Sequence, residues 1–231
     1  RLPLLDESQV DSDYTITKIQ TIFPTANANP GSVVSVAGTS ILTLNPNSAN
    51  FAAIDNVSTH DAILSFKGNV EINNPAGFTL MKNANGTSNS IEFAEGSTLT
   101  LTTNLSTAIG SNNSGFLFNG SLAGDGNLRF GGNTTATFGS TSSNDGYLGE
   151  LPFLPNSSVI VNTADNNVFY NGPKLQINGS NTSIEFNGEN VFASSITLGG
   201  SNTFTATFNA DQNNMNVISF SVDGTFNMVI N

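Results

Sequence analysis

At 231 residues the chain is long enough for one all-β domain. Its charged side chains make up only 10% against a usual share of about 25%, and its net charge is −11. The six cations, Arg1, Lys18, Lys67, Lys82, Arg129 and Lys174, are scattered, which argues against a nucleic-acid backbone or an anionic membrane surface as partner. Without cysteine there is no disulfide framework and no thiolate metal site, and no apolar run approaches the roughly 18 residues of a membrane span.

The missing charge is replaced by 35 Asn and 52 Ser plus Thr. These side chains compete with the helical backbone for hydrogen bonds, and Gly costs about 1 kcal/mol per helical site. The apolar positions are mostly Phe, Ile, Leu and Val, which suit a pleated, half-buried surface. Composition therefore predicts an all-β protein.

The opening Arg1-Leu2-Pro3 lacks signal-peptide character and reads as a mature or trimmed end. Residues 1–13 carry Asp6, Glu7, Asp11 and Asp13 without periodicity, as a solvated arm or cap would. Tyr14, Ile16, Ile19 and Ile22 approximate the alternation of a strand, and Pro24 with Ala26–Gly31 forms a turn. Residues 1–30 are thus expected to be an N-terminal arm or cap, and residues 31–231 a repetitive unit.

From Val33 onward one short pattern recurs: an apolar residue, a variable one, Phe, then Gly close behind. It appears at Leu64–Gly68, Phe116–Gly120, Leu128–Gly132 and Ile184–Gly188, and with one extra residue at Ile91–Gly96. Phe66 to Phe93 is 27 residues, Phe93 to Phe118 is 25, and Phe186 to Phe208 is 22; Phe118 to Phe130 is 12. Such spacing suits a coil of two or three short strands per turn, in which each coil buries its apolar side only by stacking on its neighbours. The predicted fold is a parallel β-helix, or β-solenoid, with Phe66, Phe93, Phe118, Phe130, Phe186 and Phe208 inside. The alternative is a β-sandwich of hairpins, since Asn-Gly and Asp-Gly pairs such as Asn187-Gly188 and Asp223-Gly224 are hairpin chemistry as well as corner chemistry.

Residues 141–174 interrupt the repeat. Tyr147, Leu148, Leu151, Phe153 and Leu154 lie in an apolar stretch with Pro152 and Pro155, which bar central-strand pairing. An irregular excursion is expected there, either folding back on the core or serving as a binding loop. The last residues, Val222–Ile230, read as a strand without a polar cap, with Phe226, Met228 and Ile230 on one side. With Tyr14, Ile16, Ile19 and Ile22 they make two candidate assembly strands. An open solenoid end calls for more polypeptide or for pairing with another subunit.

Gly120–Asn133 and Ser195–Phe204 resemble autotransporter passenger domains, more narrowly the Asn- and Gly-rich passengers of rickettsial-type surface antigens. The resemblance extends over about residues 31–231. It implies a right-handed β-helix displayed outside the outer membrane, commonly for adhesion. The family's C-terminal membrane barrel has no counterpart in this sequence.

Catalytic chemistry is sparse. His60, the sole histidine, stands between Thr59 and Asp61, and adjacency in sequence does not build a Ser-His-Asp relay. Glu92 and Glu185 alternate outward and would serve a polysaccharide-cleaving site only if brought together. Gly124-Asp125-Gly126-Asn127 reads as a tight turn rather than a calcium repeat. Nine Asn-x-Ser/Thr sites match the roughly eight that this Ser/Thr content produces by chance, so they carry no inference.

The sequence therefore points to an extracellular bacterial surface module, a stalk or adhesin. It is expected to bind a protein or glycan on a host or neighbouring cell, without cofactor, nucleic acid or membrane insertion. The alternatives are a self-assembling filament or surface-layer subunit and, behind it, a polysaccharide-active enzyme.

Overall fold

In the computed structural model, the described residues form 24 short β-strands between Gln9 and Ile230. The structure describes the backbone of these strands throughout. It describes side chains at residues 66, 69–72, 90–102, 115–163, 168–169, 173–189, 195–211 and 224–231. The described residues contain no helix, as the Asn, Ser, Thr and Gly content dictates.

The strands form a β-solenoid with three faces. The first face is a ten-stranded sheet: Gln9–Val10, Ser32–Val36, Ala62–Phe66, Ser90–Phe93, Gly115–Phe118, Thr135–Phe138, Ser158–Val161, Thr182–Phe186, Thr203–Phe208 and Thr225–Ile230. The second face runs from Tyr14–Ile16 through Ile41–Leu44, Asn69–Ile72, Thr98–Leu101 and Ser121–Gly124 to Ser143–Asn144. The third face contains Thr21–Pro24, Ala52–Asn56, Phe78–Asn83, Thr107–Ala108 and Leu128–Arg129. It passes through a Phe130–Phe153 bridge to Glu150–Phe153, Lys174–Ile177 and Ile196–Leu198.

Pairing is parallel on all three faces, for example Ser90–Phe93 on Gly115–Phe118, Thr98–Leu101 on Ser121–Gly124, and Glu150–Phe153 on Lys174–Ile177. The hairpin alternative needs antiparallel neighbours, so Asn119-Gly120, Asn178-Gly179 and Asn187-Gly188 serve as corners. At three successive corners the left-handed residue is Asn itself: Asn133, Asn156 and Asn181, with φ between 56° and 61°. At Gly124, with φ +90°, a Cβ would stand 1.9 Å from the Leu101 carbonyl oxygen, so only glycine fits.

Register places like residues above like. Along the first face Phe66, Phe93, Phe118, Phe138, Val161, Phe186 and Phe208 occupy one inward column. All six phenylalanines expected inside are at most 2% exposed. Ring centroids lie 4.8 Å apart for Phe66–Phe93, 5.4 Å for Phe93–Phe118 and 5.6 Å for Phe118–Phe138. Phe130 leaves this column for the third face, where it packs on Phe153 at 5.0 Å.

Two segments outside the regular repeat contribute strands to the sheets. The strands between Gln9 and Pro24 belong to the three sheets and lie at their ends, so over these residues the expected arm is a terminal coil. Within the expected excursion at 141–174, Ser143–Asn144, Glu150–Phe153 and Ser158–Val161 each enter a sheet. Pro152 sits opposite Gln176 in that pairing. Its carbonyl accepts from Phe130 N at 2.8 Å, so its missing N–H faces the side where only a single bridge forms. Among the described residues the second face has no strand beyond Asn144.

Phe118→Ala, in the middle of the ring column, should lower the unfolding free energy by about 3–5 kcal/mol. Thr137→Ala, on the outward side of the next strand, should change it by roughly 0.5 kcal/mol or less. Urea unfolding monitored by circular dichroism measures both, and similar losses for the two would contradict this orientation.

Candidate functional site

The outward side of the first face consists of two columns. One reads Ser90, Gly115, Thr135, Ser158, Ser183, Thr205 and Asn227; the other reads Glu92, Leu117, Thr137, Ile160, Glu185, Thr207 and Val229. Glu92 and Glu185 therefore share a column, as alternation requires. Four strand steps of about 4.8 Å separate them, roughly 19 Å in all. Paired glycosidase carboxyls stand about 5–9.5 Å apart. Glu92 accepts from the Ser90 hydroxyl at 3.5 Å, and Glu185 from the Asn209 amide at 2.9 Å. His60 lies outside the described residues. Gly124–Asn127 forms the tight corner expected of it: the Asp125 and Gly126 amides both donate to Leu101 O, and Asn127 Oδ1 accepts from Glu150 N at 3.0 Å.

The residue that follows each first-face strand sets up a further row. Asn162, Asn187, Asn209 and Asn231 occupy it in successive coils. Each amide donates to the side-chain oxygen of the one before, at 2.8, 2.7 and 2.6 Å. In earlier coils the same row holds Ala94, Asn119 and Gly139, and the ladder lapses. At Gly139 a Cβ would fall 1.7 Å from Asn119 Oδ1, so the Asn119 carboxamide lies across the space that a side chain there would fill. The lapse leaves a cleft of about 430 Å³ lined by Glu92, Glu95, Leu117, Asn119, Ser140 and Thr141. Thr141 Oγ1 donates to the Asn119 carbonyl at 2.8 Å and holds these two lining residues together. The sequence reading missed this cleft. Its signal is the small residue at 94 and 139 in a row that carries Asn at 119, 162, 187, 209 and 231.

The candidate binding loop is not a loop surface. Tyr147, Leu151 and Phe153 are buried, Leu154 is half-buried, and Leu148 alone projects, 81% exposed. The prolines and glycines bend the chain at corners, and the apolar side chains between them turn inward because each coil must fill its interior. Tyr147 pins this corner: its hydroxyl donates to Gly126 O at 2.6 Å, lies 3.1 Å from Glu150 O, and accepts from Leu128 N at 3.2 Å. Burial is the main reason its phenol is held far above the usual tyrosine range; the Leu128 N–H works against this, and nearby Glu150 and Asp125 add to it.

The two candidate assembly strands lie at opposite ends of the rod. Tyr14 and Ile16 fall in the end strand of the second face, and Ile22 falls in the end strand of the third; Ile19 lies outside the described residues. Thr225–Ile230 ends the first face. Phe226, Met228 and Ile230 continue the inward columns of Phe204, Ala206 and Phe208. Phe226 is half-buried against Phe204, whereas Met228 and Ile230 are 42% and 72% exposed. Among the described residues no group of three or more His, Asp or Glu side chains could hold a metal ion. Comparison with protein-family models, with curated proteins and with solved structures found no match to this chain.

Tyr147→Phe keeps the ring but leaves the Leu128 N–H and two carbonyls without the hydroxyl, and should cost about 1–3 kcal/mol. The native phenol stays protonated where the unfolded one ionises, near pH 10. Its contribution is therefore complete below that pH and declines as the pH rises above it. Alkaline unfolding curves should show this decline in the parent chain and a shallower one in the variant; identical slopes would remove Tyr147 as the cause.

Proposed function

We propose that this chain is a module of an extracellular bacterial surface protein, a rigid stalk that also carries an adhesive surface. The observation that supports this best is the allocation of its side chains. Two inward columns of the first face are apolar throughout, from Ile91 and Phe93 to Ala206 and Phe208, and the outward positions carry hydroxyl, amide, carboxylate and isolated apolar groups. Such a stack gains length with every coil while staying stiff, because each coil is packed on the next. The partner is a protein or glycan on a host or neighbouring cell.

The spacing of Glu92 and Glu185 favours this reading over polysaccharide cleavage. A second reading, a filament or surface-layer subunit joined through terminal strands, draws on the exposed Met228 and Ile230 at the end of the first face.

Displaying the chain on a non-adherent bacterial cell through an unrelated membrane anchor tests the proposal. Cells carrying it should attach to cultured host cells or to neighbouring bacteria above the anchor-only control. Attachment no better than that control overturns the adhesive part. Regular fibres from the purified chain, abolished by Met228→Lys with Ile230→Lys, would favour the filament instead. Chain cleavage of a polysaccharide, lost in Glu92→Gln or Glu185→Gln, would overturn both.

A further inference from the structure

The cleft at the lapse in the amide ladder has a distinct lining. One wall carries the carboxylates of Glu92 and Glu95, the other the Asn119 amide and the hydroxyls of Ser140 and Thr141. Leu117 contributes an apolar patch, 36% exposed. Among the described residues, no Lys, Arg or His lines it. Its volume of about 430 Å³ falls in the range of small-ligand sites, about 300–1,000 Å³.

Each part of that lining selects against a class of ligand. Two carboxylates repel uronic and other acidic sugars, in a chain whose net charge of −11 adds to the repulsion. The same pair rewards an ammonium group through charge-assisted hydrogen bonds. An amide and two hydroxyls offer both donors and acceptors, which suit a ligand bearing several hydroxyl groups. The exposed Leu117 suits the C–H face of a sugar ring.

We propose that this cleft binds an amine-bearing saccharide, with its ammonium toward Glu92 and Glu95, its hydroxyls toward Asn119, Ser140 and Thr141, and a ring face on Leu117. This rests on the adhesive reading and names its ligand class. The ladder supplies the blocking variant. In later coils the row occupied by Gly139 carries Asn162, Asn187 and Asn209, so Gly139→Asn extends the ladder into the cleft. The atom it would displace is the tip of the Asn119 side chain rather than backbone.

The intact chain is titrated by calorimetry with a β-1,4-linked glucosamine tetramer, its N-acetylated form, tetragalacturonate and tetralysine. The glucosamine tetramer should bind best, and raising the salt should weaken it. Gly139→Asn should abolish binding, and the surface double variant Glu92→Gln with Glu95→Gln should weaken it about tenfold or more without moving the unfolding midpoint. No binding of the tetramer, equal or tighter binding of tetragalacturonate or tetralysine, or affinity untouched by both variants overturns the site. The two readings separate in the display experiment. Attachment that persists in Gly139→Asn cells overturns the site and leaves the adhesive module standing. Tetramer binding without any attachment upholds the site and overturns the adhesive module.

Discussion

Parallel, in-register pairing is the constraint on which the rest of this structure depends. It sets each coil above the last at the spacing of neighbouring strands, about 4.8 Å, and puts equivalent positions in columns. A side chain then finds above and below it the residues that its own position selects. Phenylalanine meets phenylalanine, as in Phe93 against Phe118, and asparagine meets asparagine, as in Asn187 against Asn209. The same geometry makes burial conditional. The interior side of one coil is covered only by its neighbour, which is why Met228 and Ile230 stay exposed at the end of the first face although they continue buried columns.

A column need not be uniform if the interior stays filled. At Val161 the ring column is interrupted by a smaller side chain. Phe169 bridges the interruption, 5.0 Å from Phe138 and 5.9 Å from Phe186. Between the second and third faces, Tyr147 fills the interior and satisfies the corner backbone, and Gly149 makes room for its ring: a Cβ there would stand 2.3 Å from the phenol oxygen. Both adjustments come from the segment whose repeat is least regular. Irregular sequence here reflects the demands of packing more than a departure from the coil.

The outward surface follows different rules. Its positions carry no packing demand, so their residues vary from coil to coil, and Glu92 and Glu185 sit far apart in an extended stack. What the rod offers a partner is therefore local relief. The amide ladder is continuous from Asn162 to Asn231, and the cleft lies where Ala94 and Gly139 withhold the side chain that Asn162, Asn187 and Asn209 supply in later coils. In a fold whose repeat tends toward a smooth surface, deletion of side chains makes a concavity as readily as insertion of a loop.

Much of the fold was legible in the chain itself. The scarcity of helix formers and the recurring apolar-x-Phe-Gly pattern carried the all-β solenoid and the burial of Phe66, Phe93, Phe118, Phe130, Phe186 and Phe208, because alternation and composition are local properties. The fate of Tyr147–Leu154 was not legible, since two prolines look the same whether they break a strand or shape a corner. The outcome depended on which neighbour each missing N–H faces. Phe138 escaped notice because Ala136 stands where the motif has a large apolar residue; the column above and below supplies that volume instead. The separation of Glu92 from Glu185 and the cleft beside Asn119 depended on register, which sums the lengths of every intervening corner. The sequence determined what each coil is made of and which way its strands face. Only the stacking of coils decided which distant residues share a column, because that contact is made between coils and has no counterpart within one.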